Sequence, residues 1–312
     1  MTRLVSQSGE GASPLCFGCM QFGGTADFPN SLRMYEACQN RDINFFDTAH
    51  TYTNGDSERY LGKLIGRDRE RLIIATKTGY TGGSGRENII KQFDESRGRL
   101  NQDMIDILYL HRWDPTIPLE ETFETLADLQ ANGKFRYIGV SNFSAWQVMK
   151  AQAVAKNFGT RIDVLQPMYS LVKRQAEVEI LPMALSENIA IVPYSPLGSG
   201  LLTGKYLTGG SGRLSTDKRY AARYGQEWMV KTAEALTTLA EDLNVPAATL
   251  AVAWASHHPA VDAPIISARD VDQLQASLNA ADFALNENVY RKISALSPNP
   301  APATDRLEEA GS

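Results

Sequence analysis

A chain of 312 residues, with 43% hydrophobic and 21% charged side chains, carries apolar material for a large core and is excluded from the disordered and fibrous classes. Its net charge of −5, with no long block of Lys or Arg, argues against nucleic acid or a membrane surface as partner. Met1-Thr2-Arg3-Leu4-Val5-Ser6-Gln7-Ser8 has no long apolar core, and no later segment reaches ~18 uninterrupted apolar residues, so neither a secretory nor a membrane-spanning segment is expected. Cys16, Cys19 and Cys38 form an odd, sparse set that suits a reducing, cytoplasmic compartment. Cys16-Phe17-Gly18-Cys19 matches half of a zinc motif, but His50, His111, His257 and His258 lack the spacing of a second half. The competing reading is small apolar residues on a strand, and no metal is expected.

The chain alternates element types. Thr2 to Pro14, with Gly9 and Gly11 inside it, reads as a short hairpin ahead of the first core strand, Leu15 to Gly18, and would cap the closed end of a barrel. Gly18-Cys19-Met20-Gln21-Phe22-Gly23-Gly24 follows as a loop whose glycines either let backbone approach a ligand or serve a plain turn. Asn30 or Ser31 is expected to cap a helix through Asn40, ahead of the strand Ile43 to Phe46. Asp56-Ser57-Glu58 opens a helix through Ile65, stopped by Gly66. The strand Leu72 to Thr76 leads into a loop, Gly79 to Gly85, and a helix from Arg86 to Leu100. Alternation continues through Ile105 to Leu110, Glu120 to Ala131, Phe135 to Val140, Ser144 to Phe158, Ile162 to Gln166, Glu177 to Glu187 and Ile189 to Pro193. Tyr194 to Gly225, rich in glycine, is expected to be a long irregular loop with a function. Helices from Gln226 to Asn244 and Ala247 to His258, a strand from Ala263 to Ile266 and a helix from Asp270 to Ala280 complete eight strands. A helix from Glu287 to Leu296 precedes a Pro-rich tail, Ser297 to Ser312, expected to fray in part. Such alternation demands right-handed crossovers and a parallel sheet. Barrels of about 250 residues with added loops form one domain, so residues 1–312 are expected to be a single (β/α)8 barrel domain.

Three strands end on chemistry. Asp47-Thr48-Ala49-His50-Thr51-Tyr52 follows Ile43 to Phe46, Lys77 follows Leu72 to Thr76, and His111 follows Ile105 to Leu110. The C-terminal ends of barrel strands are where catalytic side chains are delivered. A free tyrosine titrates near ~10 and a free lysine near ~10.4, so neither is tuned for proton transfer at neutral pH. A lysine ammonium beside the phenol is expected to lower the tyrosine pKa, and a carboxylate beside the lysine to anchor it. Tyr52 is then the general acid, Lys77 its tuner, Asp47 the anchor, and His111 a hydrogen-bond partner for a carbonyl oxygen. Taken singly each has a plain reading: a helix cap, a solvated cation, a rim tyrosine, a satisfied loop histidine. Their joint placement after three successive apolar strands favours the site. These four include no metal centre and no redox cysteine pair as a source of two reducing electrons, so a cofactor must bring hydride.

The stretch Asp47 to Tyr52, the segment Asn54-Gly55-Asp56-Ser57-Glu58-Arg59-Tyr60-Leu61-Gly62, the strand end Ala75-Thr76-Lys77 and Ile107-Leu108-Tyr109-Leu110-His111 resemble the aldo-keto reductase family, in the family's order. The resemblance runs from about Leu15 to Ala280. It implies a (β/α)8 barrel with catalytic Asp47, Tyr52, Lys77 and His111. It also implies NADPH, or less often NADH, bound in an extended pose without a Rossmann unit. By resemblance, Gly18, Met20 and Asp47 border the cofactor, Ser141, Asn142 and Gln166 hold its carboxamide, and Tyr194 stacks on the nicotinamide. An amide needs both a donor and an acceptor, which Asn and Gln supply. Tyr194-Ser195-Pro196-Leu197-Gly198-Ser199-Gly200-Leu201-Leu202-Thr203-Gly204-Lys205 resembles the pyrophosphate loop, with Ser195, Leu197 and Ser199 at the phosphates.

At the adenosine end, Ser267, Arg269 and Gln273 match in place. The chain departs from the family where Ser267 replaces a frequent Gly or Lys and Ala276-Ser277 replaces a frequent Glu-Asn. Arg269 would grip a 2′-phosphate or stack on adenine, and Asp270 and Asp272 would oppose a phosphate if they pointed inward. NADPH is preferred, with NADH possible. Phe22, Tyr52, His111 and Trp113, with parts of the Tyr194 to Gly225 loop, are expected to line a pocket for a small aldehyde or ketone. The main expectation is reversible reduction of a carbonyl to an alcohol. An alternative, also implied by the resemblance, is a cofactor-binding regulatory subunit of a membrane channel with little turnover. A metal-dependent barrel hydrolase or lyase would need His and carboxylates clustered at several strand ends, and only one expected strand ends on His.

Overall fold

The structure, a computed structural model, describes residues 3–306. Its strands are β1 (Cys16–Gly18), β2 (Phe45–Asp47), β3 (Ile73–Thr78), β4 (Ile105–Leu110), β5 (Phe135–Ser141), β6 (Val164–Gln166), β7 (Ala190–Ile191) and β8 (Ile265–Ile266). All neighbours pair in parallel, in the order β7-β6-β5-β4-β3-β2-β1-β8. The ring closes through a parallel bridge between Tyr194 and Ile265 and the bond from Ile265 N–H to the Pro193 carbonyl, 2.8 Å. The expected (β/α)8 barrel is the observed fold.

The pleat explains the two apolar clusters. Alternate strand residues such as Cys16, Phe45, Ile73, Ala75, Ile107 and Val164 fill the barrel interior. Their neighbours, including Phe17, Phe46, Ile74 and Leu108, face the helices and belong to the larger outer core. β3 and β4 are buried along their whole length, so their apolar residues do not alternate with exposed polar ones.

The expected hairpin forms around an antiparallel bridge between Val5 and Gly11, although Thr2, its expected start, lies outside the described residues. Leu4 plugs the bottom of the interior cluster. Asp106, buried on the outer side of β4, takes the Ile74 N–H at 2.9 Å and pairs with Arg69 at 2.7 Å and Arg136 at 3.2 Å. Arg136 also donates to the Val5 carbonyl at 2.8 Å, which ties the hairpin to the barrel floor.

Several local expectations need correction. The first helix, Phe28–Gln39, is capped by Asp27, whose carboxylate accepts from the Asn30 N–H, because Pro29 can enter only a first turn. The stretch expected as one helix, Glu177 to Glu187, is a 3-10 turn, Gln175–Glu177, followed by the helix Ile180–Ser186. The Tyr194 to Gly225 segment is largely built from short helical pieces, Gly198–Thr203, Arg213–Thr216 and Lys218–Tyr224. The start of the tail is docked, since Arg174 donates to Ser294 O at 3.0 Å and Ser297 Oγ at 3.2 Å. Residues 307–312, the end of the expected frayed tail, lie outside the described residues.

Two helical glycines make a contrasting pair. A Cβ on Gly62 would sit 2.7 Å from the Leu100 carbonyl oxygen, whereas one on Gly98 would meet nothing within 4 Å. Gly62→Ala should lower stability by roughly 1–3 kcal/mol through overpacking. Gly98→Ala should raise it by about 0.5–1 kcal/mol by restricting the unfolded chain. Chemical denaturation of both variants checks the pair.

Candidate active site

The site grows from strand ends held in register. Gly18 is the Cα partner of Asp47, Lys77 that of Tyr109, and Ser141 that of Gln166. Lys77 has 0% exposure, and its ammonium donates to Asp47 Oδ1 and, at 2.7 Å, to the Thr48 carbonyl. Asp47 uses its other oxygen to accept from Gln166 Nε2 at 2.9 Å. The ammonium also lies between two aromatic rings, 5.0 Å from the Tyr52 centroid and 5.5 Å from that of Tyr109. Burial pulls the Lys77 pKa down, but Asp47 and the Tyr52 phenol push it up further, so it ends above the ordinary lysine value. This lysine is a fixed cation.

Tyr52 opens a 3-10 turn, Tyr52–Gly55, in which Thr53 (φ 47), Asn54 (φ 55) and Gly55 (φ 90) are all left-handed. Such a run is strained for a β-branched residue. Thr53 Oγ1 holds it by donating to the Phe22 carbonyl at 2.8 Å and accepting from Ser57 N–H at 2.9 Å. Lys77 lowers the Tyr52 pKa as expected, but it is not the largest influence on it. Burial pushes it up, Lys77 pulls it down, Asp47 adds to the rise, and the net value lies above ordinary tyrosine. Tyr52 is therefore a protonated donor throughout the neutral range.

His111, 8% exposed, sets its ring edge-on to Tyr52 at 5.8 Å and 4.9 Å from Tyr80. Its Nδ1 is buried without a hydrogen-bond partner. Burial first, then the charges of Lys77 and Arg112, press its pKa down to about 3, so it is neutral at pH 7. A neutral imidazole beside a phenol can donate one hydrogen bond to an oxygen brought to both.

The cofactor candidates fall into two groups. Asn142, at φ 60, donates to the His111 carbonyl at 3.0 Å and to Ser141 Oγ at 3.1 Å, and accepts from the Tyr194 hydroxyl at 2.7 Å. Ser141 Oγ donates to the Gln166 carbonyl at 3.0 Å. Ser141, Asn142, Gln166 and Tyr194 thus join the ends of β5, β6 and β7 to the Asp47 and His111 strands. The second group lies farther round the rim. Ser195 (φ 62) and Ser199 (φ 56) adopt left-handed backbone in the glycine-rich turn with their hydroxyls toward Tyr224, Leu197 packs on the core, and the hydroxyl of Ser267 is buried without a partner. A Cβ on Gly18 would crowd Ile265 at 2.7 Å, so glycine allows β1 to end beside Ser267. Met20, in the turn after β1, is half-buried.

Arg269 is exposed, and its own N–H is taken by Gln273 Oε1 at 3.0 Å. Asp270 spends its carboxylate capping the helix Val271–Leu278 through the Gln273 N–H at 2.8 Å, and Asp272 is exposed. Burial, then the charges of Arg269 and Arg213, lowers the Lys205 pKa. Lys205, Arg213 and Arg269 are therefore close enough to feel one another's charge. Lys205 and Arg213 were not among the expected site residues; the closing Gly204-Lys205 of the glycine-rich stretch carried the only signal.

On the acceptor side, Phe22 is a correction. It has no exposed surface and packs on Phe17 with ring centroids 5.5 Å apart, because the turn Cys19–Gln21 points it inward. Trp113 is half-buried, edge-on to Phe143 at 5.2 Å and to the exposed Trp146 at 5.6 Å. Tyr80, 45% exposed beside His111, joins this rim; it follows Lys77 out of β3, so the strand-exit logic applied to it as well. All three cysteines are buried free thiols. No three His, Cys, Asp or Glu side chains converge as metal ligands among the described residues.

The sequence pattern of the Aldo/keto reductase family matches residues 14–298. The chain belongs to the aldo/keto reductase family. It is similar to an uncharacterized oxidoreductase, YrpG, of Bacillus subtilis, at 31% identity over 96% of this chain and 97% of the relative. It is 32% identical to a norsolorinic acid reductase of Aspergillus flavus over 95% of this chain and 80% of the relative. A probable voltage-gated potassium channel subunit beta of Arabidopsis thaliana is 32% identical over 89% of this chain and 90% of the relative. This reductase accordingly carries the family's activity, carbonyl reduction with a reduced nicotinamide nucleotide.

The His111 geometry has a pH signature. Its folded pKa of about 3 lies below the ~6.5 of an unfolded chain, so His111 weakens the fold increasingly as pH falls from ~6.5 toward 3 and not above. Ring resonances in histidine-labelled protein should keep the neutral form from about pH 8 down to about 5. A titration of His111 between pH 6 and 7 would contradict this environment.

Proposed function

We propose that this reductase uses NADPH in preference to NADH, with Tyr52 giving the proton and Asp47, Lys77 and His111 supporting it. The observation that carries the proposal is the convergence of a buried ammonium, a protonated phenol and a neutral imidazole at three adjacent strand ends. When bound, the reduced nicotinamide supplies the hydride. The chain supplies the rest. His111 and Tyr52 hydrogen-bond the acceptor oxygen, Tyr52 gives up its proton as charge develops there, and Lys77 stabilises the phenolate left behind. The same residues serve the reverse oxidation, with the phenolate as base.

The residues fit the cofactor. Ser267 offers a buried hydroxyl lacking a partner, Ser195 and Ser199 offer hydroxyls beside Tyr224, and Lys205, Arg213 and Arg269 gather positive charge on the same rim, which suits phosphate groups. Since Asp270 is committed to a helix cap, it does not oppose a 2′-phosphate by occupying that space. Ser141, Asn142 and Gln166 are proposed to hold the carboxamide, with Tyr194 against the ring. The acceptor is proposed to be an aldehyde or ketone lying against Tyr52, His111, Tyr80 and Trp113. Residues 1–312 are proposed to act as one barrel domain, and the three buried free thiols support a cytoplasmic setting. The likeness to a protein named as a channel subunit supports a second reading, cofactor binding with little turnover.

Loss of reduced-nicotinamide absorbance with a panel of aromatic and aliphatic aldehydes tests the proposal. Tyr52→Phe should lower kcat by about 10²–10⁴ with cofactor binding retained. Arg269→Ala should raise KM for NADPH by roughly ten-fold and leave KM for NADH nearly unchanged. Tight cofactor binding without turnover of any aldehyde would favour the subunit reading, and full activity in Tyr52→Phe would remove the proton assignment.

A further inference from the structure

Beneath the proton-donor group lies a side chain that neither the fold nor the proposed reaction has yet accounted for. Tyr109, on β4, is fully buried in the barrel interior, and its hydroxyl faces the Gln166 side chain without a hydrogen bond of normal length. Polar atoms in such a place are normally paired, and an aliphatic residue would fill the volume without that penalty. Its position is specified from both sides. Cα register makes it the neighbour of Lys77 on β3 and of Gly139 on β5. A Cβ on Gly139 would sit 2.5 Å from Cε1 of the Tyr109 ring, so the ring lies flat over a strand position that only glycine leaves open.

The consequence falls on Lys77. Its ammonium sits 5.5 Å from the Tyr109 centroid and 5.0 Å from that of Tyr52, within the range of cation–π attraction to both. Lysine has a flexible four-carbon stem, and its polar partners are Asp47, the Thr48 carbonyl and the Tyr52 hydroxyl, all on the side of the proton donor. We infer that Tyr109 is a positioning residue. Its ring is a floor that keeps the Lys77 ammonium turned toward Asp47 and Tyr52, and Gly139 makes room for that floor. Having no exposed surface, Tyr109 touches neither acceptor nor solvent and acts only through Lys77. The ring does this work; the unbonded hydroxyl contributes little.

The inference rests on the reading of Tyr52 as proton donor, and the test separates the two. Wild type, Tyr109→Phe, Tyr109→Leu and Tyr109→Met are compared, with Tyr52→Phe and Lys77→Met as controls, after thermal denaturation confirms folding. Steady-state reduction of an aldehyde is followed against pH. In parallel, protein labelled with 15N-lysine without cofactor is examined for a slowly exchanging Nζ resonance, assigned by its loss in Lys77→Met. Tyr109→Phe should stay within about two-fold of wild type. Tyr109→Leu should lose roughly ten-fold in kcat, with acceptor KM changed less than two-fold, and the alkaline limb of kcat should move to higher pH. The Nζ resonance should persist in Tyr109→Phe and broaden or vanish in Tyr109→Leu. If Tyr109→Leu does not fold, Tyr109→Met must show the same loss. Wild-type kcat and an intact Nζ resonance in a folded non-aromatic variant would overturn the inference, as would equal losses in Phe and Leu variants. Full activity in Tyr52→Phe would instead sink the proton-donor reading, while the Nζ resonance still decides whether Tyr109 holds Lys77.

Discussion

An ammonium with no solvent exposure is the demand that organises this molecule. Moving such an ion out of water costs several kcal/mol even after relaxation, so Lys77 is tolerated only with compensation on every side. Asp47 supplies the opposite charge, the Thr48 carbonyl a further acceptor, and two aromatic rings the remaining faces. Asp47 must itself be held, and Gln166 reaches across from β6 to do so. Replacing Lys77 alone would strand a buried carboxylate without its counter-charge.

The barrel is what makes that arrangement rigid. Parallel register sets Asp47, Lys77 and Tyr109 on neighbouring strands, and the interior cluster beneath them leaves no room for the lysine to withdraw. The polar ties at the opposite end, where Asp106 gathers Arg69 and Arg136 and Arg136 fixes the hairpin, close the floor without drawing on the site residues. The rim is more adaptable: short helices interspersed with glycines carry Ser199, Lys205 and Arg213 over the opening. Rigid chemistry below and a jointed cover above suit an enzyme that admits a large cofactor and a small acceptor.

Much of this was legible in the chain because apolar runs mark the strands and the residue after each run marks the open face. Asp47, Lys77 and His111 were picked out by that logic alone, and the structure brings them together at neighbouring strand ends. The lowering of the Tyr52 pKa by Lys77 was legible too, but the larger rise from burial was not, because desolvation depends on what three-dimensional packing removes from water. Phe22 was misjudged because a single 3-10 turn decides whether a loop aromatic faces in or out. Asp27 lost the cap assignment to Asn30 and Ser31, although Pro29 was a usable signal. The pairing of Tyr109 with Gly139 could not be read, since it exists only once two strands are set in register.

The central claim is that Lys77, fixed inside the barrel, opposes the effect of burial on Tyr52. Its most direct test is the ionisation of Tyr52 itself, followed by NMR of protein labelled at tyrosine Cζ and assigned by Tyr52→Phe, in wild type and in Lys77→Met. The expected result is a Tyr52 pKa that rises further when the ammonium is removed. An unchanged or lower pKa in a folded Lys77→Met protein would contradict the account.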